Sequence, residues 1–252
     1  MNKFHRIYGD DSADVGEMIT ALSQLKIIFG HQSVGNNILA GIRYWEEESG
    51  VKFNRLTSRD PESQDHGVFI DFAVGSNGNP VSKIDDFIAV VEDLPGGSEA
   101  MAFFKLCYVD ITAGTDVEEL FGYYREKMIY LKEKKPGISV ALFTVPVTSV
   151  QGGWKAMVKK AVGRVPAGVL NNMKRSEFNN RLMDELSGVF PVFDLAGVET
   201  TLPDGKKNIF EHEGIKYPSL PEIYTSDGGH LNSQGSRMVA YNLLAFLAHE
   251  IK

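Results

Sequence analysis

A serine near one end of this 252-residue chain, and an aspartate and a histidine near the other, stand in settings that suit acyl-transfer chemistry. Ser33 lies in Phe29-Gly30-His31-Gln32-Ser33-Val34-Gly35, between the apolar run Leu25–Phe29 and a stretch with apolar residues at Ile38, Ile42 and Trp45. That spacing is helical, so Ser33 falls at a strand-to-helix junction, where free backbone N–H groups and the helix dipole face its oxygen. An ordinary helix N-cap fits the same position, and this segment leaves both readings open. The second segment is Ser226-Asp227-Gly228-Gly229-His230-Leu231-Asn232. A neutral imidazole there can take a serine proton during attack and return it to a leaving alcohol. It needs a carboxylate to fix its tautomer, and Asp227 can serve because two glycines let the loop fold back. Read alone, the segment equally describes an Asp-Gly-Gly turn ahead of a helix, with an incidental histidine.

Other residues are weaker candidates. His31 and Gln32 stand beside Ser33 and are candidates to line the site, although a histidine beside a helix start can be satisfied by backbone. Trp154, with Lys155, Lys159, Lys160 and Arg164 in the segment Gln151–Gly168, offers an aromatic face for a sugar ring or acyl group; a solvated amphipathic turn explains it nearly as well. Cys107 lies in an apolar run and reads as a small buried hydrophobe. Asp110, at the end of that run, either supports the site loops or caps a turn. Glu211-His212-Glu213 has no second cluster to complete a ligand set, so no metal site is expected.

The elements that must position these residues alternate along the chain. Apolar runs at Leu25–Phe29, Val68–Val74, Met101–Val109, Ile138–Val145 and Val189–Leu195 predict five strands. Helical spacing at Val34–Glu47, Asp85–Asp93, Val117–Lys134, Leu170–Leu186 and from Ser233 onward separates them. This is the pattern of an α/β fold, a doubly wound parallel sheet covered by helices. No repeat, low-complexity tract or linker divides it, which predicts one domain over residues 1–252. Leu202–Tyr224, rich in Pro, Gly and charge, does not fit the rhythm. A formal net charge of −7 argues against nucleic acid as the main partner, because phosphate binding needs a basic face. The single cysteine excludes an intrachain disulfide. No apolar run is long enough to cross a membrane and the first residues lack a signal-peptide pattern, which leaves localisation open.

Taken together, Gly-x-x-Ser after strand one and Asp-x-x-His-Leu-Asn before the last helix resemble the SGNH (GDSL-like) hydrolase superfamily, in the same order and at opposite ends of the chain. The resemblance covers nearly the whole sequence and implies a three-layer α/β/α sandwich with a flavodoxin-like five-stranded parallel sheet. It implies Ser33 as nucleophile, His230 as general base and acid, and Asp227 as the partner that orients it. It also implies an oxyanion hole from the Ser33 N–H and from a loop in the second sequence block, Gly75-Ser76-Asn77-Gly78-Asn79-Pro80, with Gly75 and Asn77 as candidate donors. Two departures stand out. Gly30 is followed by His31-Gln32-Ser33 where the family usually reads Gly-Asp-Ser. The family's third block carries an asparagine whose side chain donates to the oxyanion, and that asparagine is absent from the corresponding segment Leu106-Cys107-Tyr108-Val109-Asp110.

The resemblance implies hydrolysis of a carboxylic ester, such as a short-chain or O-acetyl ester on a saccharide, with no metal or organic cofactor. The missing asparagine keeps a second reading in play, a binding module that retains the fold with weak chemistry or none. A flavin or nucleotide binder is disfavoured, because Gly30–Gly35 has neither the P-loop lysine nor the Gly-x-Gly-x-x-Gly fingerprint.

Overall fold

The computed structural model describes residues 12–59, 67–95, 99–150 and 166–251. Six parallel strands form the main sheet: β1 (Lys26–His31), β2 (Arg55–Thr57), β3 (Val68–Ala73), β4 (Ala100–Phe104), β5 (Ile138–Phe143) and β6 (Val192–Phe193). They lie in the order β2-β3-β1-β4-β5-β6. All six residues of β1 are buried, as a central strand covered on both faces requires. Its side chains alternate between two cores. Ile27 and Phe29 pack with Phe103, Phe143 and the helices α1 (Ser12–Leu22), α2 (Val34–Ser49) and α7 (Ser233–Glu250). Ile28 faces the opposite way, toward Phe72, Phe104 and the helices α3 (Pro80–Glu92), α4 (Val117–Lys134) and α5 (Ala167–Leu186). The result is the three-layer α/β/α sandwich.

The sheet has six strands where the sequence predicts five, because Arg55–Thr57 is a three-residue edge strand with no buried residue and leaves no apolar run. Helix α1 likewise precedes the first predicted element. Two strands are much shorter than their apolar runs. The β4 run ends at Phe104, and Cys107 turns into a 3₁₀ turn, Tyr108–Asp110, because the Asp110 carboxylate accepts the Cys107 N–H at 2.6 Å. After β6, Asp194 caps the short helix α6 (Leu195–Glu199) by accepting the Gly197 N–H at 2.9 Å. Helix α3 starts at Pro80 rather than Asp85, capped by Asn79 with proline in its first turn. The irregular segment Leu202–Tyr224 holds a hairpin, β7 (Ile209–His212) with β8 (Ile215–Pro218), and Glu211-His212-Glu213 sits at its tip. Among the described residues, no helix is long and apolar enough to cross a membrane.

Helices α2 and α7 are held in close contact. A Cβ on Gly41 would lie 2.1 Å from the carbonyl oxygen of Ser236 and 2.7 Å from the Ala240 Cβ, so only glycine permits this approach. Trp45 Nε1 donates to the Arg237 carbonyl at 2.9 Å and its ring packs 5.7 Å from Tyr241. Gly41→Ala is therefore expected to destabilise the fold by about 1–3 kcal/mol through overpacking. Gly122 of α4 has open space where a Cβ would go. Gly122→Ala is expected to stabilise by up to about 1 kcal/mol on helix propensity. Urea unfolding midpoints that move the same way in both variants would refute this account of the packing.

A buried polar layer lies beyond the β4 and β5 ends. Lys105 Nζ donates to Cys107 Sγ at 3.3 Å, and Glu199 accepts the Val147 N–H at 2.6 Å. Burial pushes the Glu199 carboxyl up to about 8, against the opposing influence of that N–H and of the Lys105 and Arg175 charges. The folded state thus binds a proton that the unfolded chain gives up near its reference value of 4.5. Stability from this group is full below that value and is lost as pH rises through about 8. Glu199→Gln keeps the acceptor for Val147 and removes the titration. It is expected to narrow the fall in Tm between pH 6 and 8 by a few degrees, since ~1 kcal/mol moves Tm by about 2–4 °C in a chain of this size.

Candidate active site

Ser33 sits at the N-cap position of α2 with φ 49° and ψ −108°, and its side chain makes no cap bond. A non-glycine residue at positive φ costs on the order of 1–3 kcal/mol unless its surroundings impose it. Here the turn is imposed from both sides. A Cβ on Gly35 would fall 2.3 Å from the His31 Cβ, so the chain can reverse this tightly only with glycine there. The Gly35 and Asn36 N–H groups close the turn onto Gln32 and Ser33 carbonyls at 2.9 and 2.8 Å. The strained turn lifts Ser33 Oγ out of the cap role and puts it 2.5 Å from His230 Nε2.

His230 is placed by its own loop and by α7 behind it. Asp227 Oδ2 accepts from His230 Nδ1 at 2.6 Å, which assigns the ring proton to Nδ1 and leaves Nε2 as the acceptor facing Ser33. The other carboxylate oxygen, Oδ1, accepts the His230 N–H at 2.8 Å, the Gly229 N–H at 2.9 Å and the Thr225 hydroxyl at 3.3 Å. The hydrogen bond from the His230 ring and these backbone N–H groups hold Asp227 far below the usual carboxylate range. Gly228 takes φ 86°, which a side chain would resist. Asn232 then caps α7 by accepting the Gly235 N–H at 3.0 Å, and Leu231 N–H reaches Asn37 of α2 at 3.3 Å. The Asp227 and His230 side chains remain 56 % and 41 % exposed, open to a substrate.

The remaining sequence candidates divide. His31 does not line the site. It is buried under α2 with Nε2 3.3 Å from Asp71 Oδ2 and its ring 4.9 Å from Phe29, because strand alternation turns it to the Phe29 face. Gln32 points along the sheet edge, donating to the Val74 and Gly75 carbonyls at 2.9 and 2.5 Å. It anchors the second-block loop to the serine turn instead of facing a substrate. Gly75, at φ 47°, is corrected as an oxyanion donor, since its N–H is taken by Asp86 at 2.7 Å. Asn77 keeps its backbone N–H without a partner among the described residues, and its side-chain oxygen accepts from Lys83 Nζ at 2.8 Å. Lys83 also pairs with Asp110 Oδ2 at 2.6 Å, with both side chains fully buried, and Asp110 Oδ1 accepts the Gly78 N–H at 2.8 Å. Asp110 thereby ties the second-block loop to the third-block turn. Trp154 lies outside the described residues. Among those described, no group of three or more His, Cys, Asp or Glu could hold a metal ion.

Tyr108 is the residue that sequence reasoning missed. Its hydroxyl stands 3.4 Å from His230 Nε2, the nitrogen that holds Ser33 Oγ, and 3.5 Å from Nδ1. Arg175 of α5, itself buried, donates to the Tyr108 carbonyl at 2.9 Å and lies 5.7 Å over the ring. Burial and the nearby charge of Asp227 push the phenol up, so it stays protonated. The available signal was its position, in the block where the resemblance calls for an asparagine.

No protein-family model matches the sequence, and no curated protein does. Solved structures match its fold. A Streptococcus pneumonia protein provisionally described as a platelet activating factor is 15 % identical, over 94 % of this chain and 92 % of that one, with a TM-score of 0.53. A member of the lipolytic protein G-D-S-L family from Veillonella parvula is 15 % identical, over 87 % of this chain and 95 % of that one, with a TM-score of 0.50. Identity this low speaks to fold, and the fold of this chain is that of the SGNH (GDSL-like) hydrolases.

Proposed function

We propose that the chain is a serine ester hydrolase in which Ser33 is the nucleophile, His230 the base and acid, and Asp227 its orienting partner. The observation that carries this is the unbroken line from Ser33 Oγ to His230 Nε2 at 2.5 Å and from His230 Nδ1 to Asp227 at 2.6 Å, with the serine on a strained turn. Ser33 Oγ forms a bond to the ester carbonyl carbon while its proton passes to Nε2. The carbonyl π electrons become an oxyanion that meets the Ser33 N–H and a donor of the second-block loop, for which Asn77 is the candidate. The tetrahedral adduct then collapses, the alcohol leaves with the proton from Nε2, and water cleaves the acyl-enzyme by the same steps. The reading needs no metal or cofactor. Its substrate is a small-molecule or saccharide ester with a short acyl group, O-acetyl included. The rival reading, an inactive binding module, rests on the absent asparagine, and hydrogen-bond contact between all three groups runs against it.

Hydrolysis of p-nitrophenyl acetate, p-nitrophenyl butyrate and a set of acetylated saccharides tests the reading. Ser33→Ala is expected to lower kcat by about 10⁴-fold or more and to abolish labelling by a fluorophosphonate. A general-base step predicts turnover that rises from acid toward neutral pH. Asp227, held below the usual carboxylate range, is anionic throughout and adds no second acid limb. Wild-type turnover that survives Ser33→Ala, or a wild-type protein inert to every ester and to the phosphonate, overturns the assignment.

A further inference from the structure

We propose that Tyr108 is a catalytic residue whose phenolic O–H donates to the oxyanion, in the place left by the absent third-block asparagine. The inference rests on the serine-esterase reading and adds a donor that neither the motif nor the fold assigns.

The argument begins with what the phenol cannot be doing. Its hydroxyl lies at nearly equal distances, 3.5 and 3.4 Å, from the two ring nitrogens of His230. Those nitrogens point in different directions, so one O–H cannot align with both. Both are also occupied, Nδ1 by Asp227 at 2.6 Å and Nε2 by Ser33 at 2.5 Å. The phenol proton is therefore uncommitted in the resting enzyme, with its oxygen 3.4 Å from the nitrogen that holds Ser33 Oγ. On attack, Oγ loses its own proton to His230 and gains a bond to carbon. Negative charge then appears on the carbonyl oxygen, which is separated from Oγ by a single carbon. An uncommitted O–H beside the reacting centre is free to rotate onto that oxygen, and its proton stays on the phenol throughout.

The surroundings hold the phenol at that spot. A Cβ on Gly229 would lie 2.8 Å from Tyr108 Cζ and 2.9 Å from its hydroxyl, so the second glycine of Asp-Gly-Gly-His opens the slot for the ring. On the far side, Arg175 grips the Tyr108 carbonyl and covers the ring. Below it, Asp110 fixes the turn through the Cys107 N–H and Lys83. Preorganised donors of this kind are the ones that stabilise an oxyanion.

Tyr108→Phe keeps the ring in its slot and removes only the O–H. With p-nitrophenyl acetate, kcat is expected to fall about 100-fold, the lower end for loss of one oxyanion donor, while KM changes little and the acid limb of the pH profile stays in place. The affinity for a trifluoromethyl ketone, which forms a hemiketal oxyanion on the serine, should fall by the same factor as kcat/KM. A merely structural role would leave ketone affinity and kcat untouched or move KM alone, and either result overturns the proposal. A rise in kcat also overturns it, because it would mean that the phenol only restrains resting Ser33. As a second variant, Gly229→Ala should cost activity when Tyr108 is present and add little in a Tyr108→Ala background; equal costs in both backgrounds count against the slot. Turnover that depends on Ser33 but ignores Tyr108→Phe sinks this inference alone, whereas turnover that ignores Ser33→Ala sinks the esterase reading with it.

Discussion

The contact between α2 and α7 is the constraint on which the site depends. Ser33 opens α2 and His230 stands just ahead of α7, so the two groups meet only if the helices dock at one separation and one register. Gly41 against the Ser236 carbonyl sets the separation, and the Trp45 indole on the Arg237 carbonyl sets the register. Leu231 N–H reaching Asn37 closes the same pair of elements beside the histidine. Both helices also bury their apolar faces in the Phe29–Phe103–Phe143 core, so the catalytic distance inherits the rigidity of close packing.

That rigidity is what lets Ser33 keep an unfavourable backbone. An isolated turn with φ 49° would relax into a normal N-cap, trading the contact with His230 for a bond to its own helix. The sheet on one side and α2 on the other leave no room to relax, with Gly30 closely flanked by Phe72 and Phe104 and Gly35 against His31. Strain at the nucleophile is thus supported by the hydrophobic core. The carboxylate of Asp227 works in the opposite regime. It is largely exposed, and its orientation comes from local hydrogen bonds within a four-residue loop.

The oxyanion side is arranged differently from the pattern the motifs resemble. Gln32, Asp86, Lys83 and Asp110 each bind backbone or side-chain atoms of the second-block loop, and Asp110 and Lys83 bridge it to the Tyr108 turn. A fully buried ion pair such as Lys83–Asp110 carries a desolvation cost, and removing one partner of such a pair typically costs about 3–5 kcal/mol. Its place between two loops that flank the serine makes it a structural strut for the site. His31 and Asp71 are a second buried pair, under α2 and away from the substrate side.

Much of the molecule was legible in its residues. Alternating apolar runs and helical spacings determined the layer order and three of the parallel strands closely, because burial on both faces leaves a continuous apolar signature. Ser33, Asp227 and His230 were readable as candidates from their junctions and from the short Asp-Gly-Gly-His spacing, which is local chemistry. The edge strand at Arg55–Thr57 was not readable, since an edge buries little, nor was the early end of β4, since a buried loop and a buried strand have the same composition. Only the tertiary structure decided which neighbours of Ser33 face the substrate. It sent His31 into the core, turned Gln32 to the loop carbonyls, gave the Gly75 N–H to Asp86, and brought Tyr108 onto His230. Those outcomes depend on strand alternation, on which acceptor lies within reach, and on a slot opened by Gly229 from a segment more than a hundred residues away, and no local pattern encodes contacts of that range.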